Sequence, residues 1–240
     1  MQIIPAIDLK DGKCVRLYKG EEGTETVFSE NPGEVARKWE GCGARWIHVV
    51  DLDGAFSGEP RNMEIVKDIA SKVSCPVQAG GGIRNIDTVR KYFASGVKRV
   101  ILGTAAFADD DFLRKACGEF PGGIAVGIDT KNGKIAVKGW KEVIDSDPKR
   151  VFRKLDDAGV SVILNTNIDR DGTMEGINLD AVREFIESSP IPVIASGGIA
   201  TTDDIDKLKT LESLGLYGVI LGKSIYTGGI DLKDAILRYS

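Results

Sequence analysis

Ala6-Ile7-Asp8-Leu9-Lys10-Asp11-Gly12-Lys13 returns 121 positions later as Gly127-Ile128-Asp129-Thr130-Lys131-Asn132-Gly133-Lys134. Three further blocks repeat in the same order. Asp51-Leu52-Asp53-Gly54-Ala55 resembles Asp169-Arg170-Asp171-Gly172-Thr173, a register that sets His48 against Thr166. Gly81-Gly82-Ile83 resembles Gly197-Gly198-Ile199, and Val100-Ile101-Leu102-Gly103 resembles Val219-Ile220-Leu221-Gly222. Chance gives one such match easily and four in order hardly at all. Each block also ends a short apolar run. The reading is a duplicated unit of four strands and four helices.

The runs at 3–7, 46–50, 76–79, 100–103, 124–128, 162–164, 192–195 and 218–221 are continuous rather than alternating. That is how strands covered on both faces read. Helix signals lie between them. Asn31-Pro32 opens one by an N-cap and a proline in the first turn, and Gly41 and Gly43 close it. Others fall at 86–94, 112–117, 148–158, 179–186, 205–214 and 232–237. Eight strands with helices between them fill 240 residues, close to the roughly 250 of a closed barrel. The expectation is an α/β protein, a (β/α)8 TIM barrel of two (β/α)4 half-barrels, filling 1–240 as a single domain. Its first and fifth strands then face each other across the mouth.

Composition narrows the function. A net charge of −4 lacks the basic stripe of a nucleic-acid binder. No apolar run approaches the ~20 residues of a membrane span, and the start does not read as a signal peptide. Cys14, Cys42, Cys75 and Cys117 are scattered and His48 is the sole histidine, so no metal site is expected. The expected setting is cytoplasmic, with reduced thiols, for a monomer with a small-molecule substrate.

Residues at the carboxyl ends of barrel strands line the active site. Asp8 and Asp129 hold that place on facing strands and suit acid and base work. The competing reading is that Asp and Gly simply make turns there. Gly81 and Gly82, Gly103 and Thr104, Gly197 and Gly198, and Gly222 and Lys223 form two symmetric glycine-rich ends. Backbone N–H groups at such ends bind anions, so two ends imply a ligand with two phosphates. Residues 224–227 fit the short helix that accompanies such a site. Arg84 either forks onto a phosphate or is a solvated helix-start arginine. Trp140 either stacks on a heterocycle or anchors its loop. His48 either faces the site or is hydrogen-bonded in place. Thr166 and Asp171 are candidates for orienting substrate or carboxylates, and Asp51 and Asp169 for structural caps.

Ile4-Pro5-Ala6-Ile7-Asp8-Leu9, His48 to Ala55, Gly80 to Arg84, Lys138-Gly139-Trp140 and Asp171-Gly172-Thr173 together resemble the phosphoribosylformimino-5-aminoimidazole carboxamide ribotide isomerases of histidine biosynthesis. The resemblance runs along the whole chain. It implies an Amadori rearrangement of a bisphosphorylated aminoaldose without cofactor or metal. It implies Asp129 as the acid that helps open the furanose ring and Asp8 as the base at the sugar C2. Thr166 and Asp171 match positions near the reacting sugar, and Trp140 the aromatic that covers the ligand. The related cyclase usually reads Cys-Leu-Asp at its first strand and lacks the Lys-Gly-Trp segment. A non-catalytic phosphoribosyl-binding barrel, and an enzyme that also accepts phosphoribosyl anthranilate, remain the other readings.

Overall fold

The computed structural model describes residues 1–131, 134–137, 142–143 and 148–240, with side chains described outside 132–147. Eight parallel strands close into a barrel. They are β1 (Gln2–Lys10), β2 (Ile47–Asp51), β3 (Val77–Gly80), β4 (Arg99–Leu102), β5 (Ile124–Lys131), β6 (Val162–Asn167), β7 (Val193–Ser196) and β8 (Leu216–Leu221). Each pairs with the next, and β8 returns to β1 with Ile3 opposite Val219. The outer helices are α1 (Pro32–Gly41), α2 (Met63–Lys72), α3 (Ile86–Ala94), α4 (Asp110–Glu119), α5 (Pro148–Ala158), α6 (Leu179–Ser188), α7 (Thr202–Lys209) and α8 (Leu232–Tyr239). No described helix is long and apolar enough to cross a membrane.

Strand alternation sorts the side chains into two cores. Ile3, Ile7 and Leu9 of β1 pack outward with the helices, whereas Ile4 and Ala6 point into the barrel with Ile101, Ala125, Leu164, Ile194 and Ile220. Each fully buried Ile or Leu stabilises the fold by about 1.5–3 kcal/mol. Arg99 also sets its guanidinium near two rings. Its guanidinium carbon is 4.1 Å from the Trp46 ring centre and 5.5 Å from that of Tyr217. Arg99 is buried, and its Nε and Nη2 have no hydrogen-bond partner.

The helix starts follow local chemistry. Asn85 caps α3 by accepting from the Thr88 amide at 2.9 Å, and Asp109 caps α4 from Phe112 at 2.9 Å. Asn31 stands at the N-cap of α1 with Pro32 behind it but makes no side-chain cap bond; its backbone carbonyl takes Glu34 and Val35 instead. α2 is a helix the sequence reading lacks, with Val66 and Ile69 as its buried positions. The helix expected over 205–214 starts earlier, because the Asp204 carboxylate accepts from the Ala200 and Thr201 amides. It ends at Lys209, and a separate 3-10 turn follows over Glu212–Leu214. Also unexpected are the hairpins that extend β1 and β5 beyond the barrel.

Candidate active site

β1 continues past the barrel rim and folds back. Lys13–Arg16 pairs with it antiparallel, Asp8 opposite Val15 and Lys10 opposite Lys13, and Thr26–Ser29 adds a third strand. The two-residue turn is Asp11-Gly12, both with positive φ (48° and 78°), the conformation tight hairpins require. β5 repeats the register, with Asp129 opposite Ala136 and Lys131 opposite Lys134. In the first hairpin the turn therefore belongs to Asp11 and Gly12. Asp8 lies in the strand, three residues earlier, so the turn reading does not account for it.

Along β1 the inward positions are Ile4, Ala6 and then Asp8 at the rim. Asp8 is mostly covered, its side chain 15% exposed. Its Oδ2 accepts from Arg16 Nη1 at 2.6 Å, and Arg16 Nη2 also donates to the Ala6 carbonyl. Tyr226 donates to that same carbonyl at 3.0 Å, and its ring lies 5.1 Å below the guanidinium. Burial pushes the Asp8 carboxyl above its usual range, and Arg16 opposes that rise.

Asp129 follows the same alternation on β5 and pairs with Thr166 of β6, which pairs in turn with Ser196 of β7. Asp171 lies in the loop after β6. Burial raises its carboxyl to about 6, reinforced by the charges of Asp8 and Asp129 and opposed by Arg16. Asp171 thus feels both Asp8 and Asp129 across the mouth. The Asp171 carbonyl accepts from the Lys19 amide at 3.1 Å, and that of Gly172 from Lys223 Nζ at 3.0 Å. These contacts tie the β6 loop to the β1 hairpin and to the short helix Lys223–Tyr226.

His48 points into the barrel between Ala6 and Gln78 in the strand pairing. Gln78 Nε2 is 3.1 Å from its Nδ1. Burial, with Arg16 and Arg99 adding to it, pulls the imidazole down to about 3, so it is neutral throughout the ordinary pH range.

Each glycine-rich end has a glycine that neighbouring backbone dictates. Gly81 has φ +117°, and a Cβ there would lie 2.1 Å from the Asp51 carbonyl oxygen; Gly197 has φ +90° and faces the Asn167 carbonyl at 2.6 Å. Both are required by backbone packed against backbone. Gly103 has open space above it, and Thr104 beside it is exposed. At the opposite end Arg16, Gly197, Gly198, Gly222 and Lys223 line one cleft. Arg84 is exposed and lies over Gly58. Asp51 is a buried cap, accepting from the amides of Gly54, Arg61 and Asn62 and from the Asn62 side chain at 2.7–2.9 Å. Asp169 lines a separate cleft beside Thr130 and Phe185. Trp140 lies outside the described residues. Arg16 is the site residue that sequence reasoning missed. The repeat could not reveal it, since the position 121 residues later is Val137.

The family model described as "Histidine biosynthesis protein" matches residues 2–231. A protein of Trichlorobacter lovleyi is 50% identical over 236 residues, covering 98% of this chain and 96% of its own. One from Syntrophobacter fumaroxidans is 48% identical over 238 residues (99% and 93%), and one from Synechocystis is 48% identical over 236 (98% and 92%). Each of the three carries the name 1-(5-phosphoribosyl)-5-((5-phosphoribosylamino)methylideneamino)imidazole-4-carboxamide isomerase.

Proposed function

The chain belongs to the histidine biosynthesis protein family, and from that premise we propose that it is the isomerase its relatives are named for. It turns the bisphosphorylated aminoaldose into the aminoketose, an intramolecular aldose–ketose isomerisation, and works as a cytoplasmic monomer without metal or cofactor. The observation that carries the reading is the pair Asp8 and Asp129. They occupy equivalent places on facing strands, 121 positions apart, with a glycine-rich end to either side.

The chemistry follows from these positions. One phosphate sits at the β7–β8 end, against the backbone of Gly197, Gly198 and Gly222 and the ammonium of Lys223. The other sits at the β3–β4 end, against Gly81, Gly82, Gly103 and Thr104. Gripped at both ends, the substrate holds its reacting ribose over the mouth. Asp129 gives a proton to the ring oxygen, which opens the furanose and leaves a Schiff base. Asp8 takes the C2 proton. The resulting enolamine tautomerises to the ketone. Thr166 orients the sugar. His48 and Trp140 contact the substrate, and Arg84 reaches it as the ligand settles.

Asp171 supports a second assignment of the acid, because its carboxyl at about 6 is partly protonated near neutrality. A carboxyl raised in the folded state contributes stability below its unfolded value of 3.8 and loses it as pH rises through 6. Asp171→Asn should therefore gain up to about 2–3 kcal/mol in urea unfolding at pH 7.5, with the gain gone below pH 4, while turnover falls. Equal stability of the two proteins at pH 7.5 would show that the site does not strain this carboxylate.

The test of the activity is turnover of the purified protein on the bisphosphorylated aminoaldose with no metal, nucleotide or ammonia added. Product that forms only with ammonia would favour the cyclase reading. The phosphate grip is tested best at Gly103, where a side chain fits. Gly103→Asp adds a negative charge beside the phosphate and should raise KM at least about tenfold, since like-charge contacts cost several kcal/mol. The melting temperature should stay unchanged. An unaltered KM would remove the β3–β4 phosphate. Gly82→Asp and Gly198→Asp should raise KM too, but both glycines have positive φ and backbone within 2.7 Å of a Cβ, so those variants also strain their loops.

A further inference from the structure

We propose that Arg16 couples a phosphate held at the β7–β8 end to Asp8, so that this end of the substrate takes part in proton abstraction as well as in binding. The inference rests on the assignment of Asp8 as base and of that end as a phosphate site.

The guanidinium has three nitrogens, and two carry hydrogen bonds. Nη1 is bonded to Asp8 and Nη2 to the Ala6 carbonyl. The third, Nε–H, is buried with no acceptor, a costly state for a charged donor. The guanidinium adjoins the glycine-rich end, with its Cζ and Nη1 nearer to Gly222 than its Nε. A Cβ on Gly222 would come within 3.2 Å of Arg16 Cζ and 3.6 Å of Nε. Arg16 also lines the cleft that contains Gly197, Gly198 and Lys223. A phosphate oxygen seated there supplies the missing acceptor. The fork of an arginine can hold two oxyanions at once, which a lysine cannot do with fixed geometry.

The consequence for Asp8 is electrostatic. Arg16 is what opposes the upward push of burial on its carboxyl. A phosphate dianion that shares the guanidinium weakens that opposition, so Asp8 becomes a stronger base when the ligand is in place. An empty site keeps the carboxylate neutralised and quiet. The position equivalent to Arg16 in the second half is Val137.

The other groups facing the pair are Cys14, His48, Asp171 and Tyr226, with Asp129 acting on Asp171. Burial raises the Cys14 thiol to about 12 and the Tyr226 phenol above its normal value, and holds His48 neutral. None of these three changes charge between pH 5 and 9, so the carboxylates can be followed separately. The experiment is a pH titration of carboxyl-13C aspartate signals by NMR, with and without saturating inorganic phosphate. Asp8 is assigned by loss of its signal in Asp8→Asn. Running it also in Gly103→Asp removes phosphate from the far end.

Phosphate should raise the Asp8 midpoint by about one pH unit, a tenfold gain in proton affinity, within the range opposite charges produce. In Arg16→Ala the midpoint should start higher and respond less than half as much. Arg16→Lys, which keeps the charge and guards against a folding defect, should also respond weakly. An unmoved midpoint in the wild type, or an equal response in the variants, overturns the coupling. Undiminished turnover by Asp8→Asn would instead remove the base assignment, and the titration would still report on Arg16.

Discussion

Asp8→Asn and Asp129→Asn should each lower kcat by at least about 10²–10⁴-fold, the usual contribution of a general acid or base, while fold and ligand binding persist. The substitution keeps the shape of the side chain and removes its exchangeable proton. The two variants should differ in where the reaction stops. Ring opening precedes proton abstraction, so Asp8→Asn still reaches the open-chain Schiff base but should abolish exchange of the C2 proton with deuterated solvent. Asp129→Asn should be partly rescued by an analogue that lacks the closed ring and no longer needs an acid. Rescue of Asp171→Asn by that analogue, with none for Asp129→Asn, would move the acid role to Asp171. Rescue of Asp8→Asn would reverse the roles of acid and base. Undiminished turnover in both would mean the carboxylates serve the structure alone.

Acid should unfold this barrel through His48. Its folded value of about 3 lies well below the 6.5 of an exposed imidazole. A depressed folded value contributes stability that is present above 6.5 and is lost as pH falls toward 3. At about 1.4 kcal/mol per unit, the loss attributable to this residue reaches about 3 kcal/mol by pH 4. His48→Gln carries no proton at either end of that window. The difference between its unfolding free energies at pH 7 and pH 4 should be smaller than the wild-type difference by about that amount. Equal pH dependence in the two proteins would show that the imidazole finds a way to be charged inside the barrel.

The repeat made the architecture legible. A buried strand is a run of apolar residues that any single window confuses with a helix, but four blocks in register fix eight strand ends at once. Asp8 and Asp129 were readable for the same reason, since strand ends carry the side chains that reach the mouth. The hairpins were not readable. Nothing in Lys13 to Ser29 tells a strand continued beyond the rim from an ordinary loop until the Asp11-Gly12 turn is seen to return the chain upon itself. Arg16 was lost with them, because it comes from outside the repeated pattern. The glycines were read as one class and are two: Gly81 and Gly197 are dictated by neighbouring backbone, whereas Gly103 leaves space that a ligand can use. A sequence records that glycine is present, not which contact demands it. α2 escaped because Val66 and Ile69 are its sole fully buried side chains, too few to give a clear period.

The closure of Gly81 on Asp51, and of Gly197 on Asn167, takes place within one half of the chain each time. These two closures are each made inside one half, although Arg16 and Lys19 of the first half reach the rim of the second, so heritable change at the first half's glycines need not disturb its counterpart. A lineage could enlarge, shrink or discharge the pocket for one end of a ligand by mutating a single half. Asp8 and Asp129 would stay where they are, on strands whose packing is settled elsewhere. Duplication thus left a scaffold in which the recognition of two ligand ends can drift at separate rates.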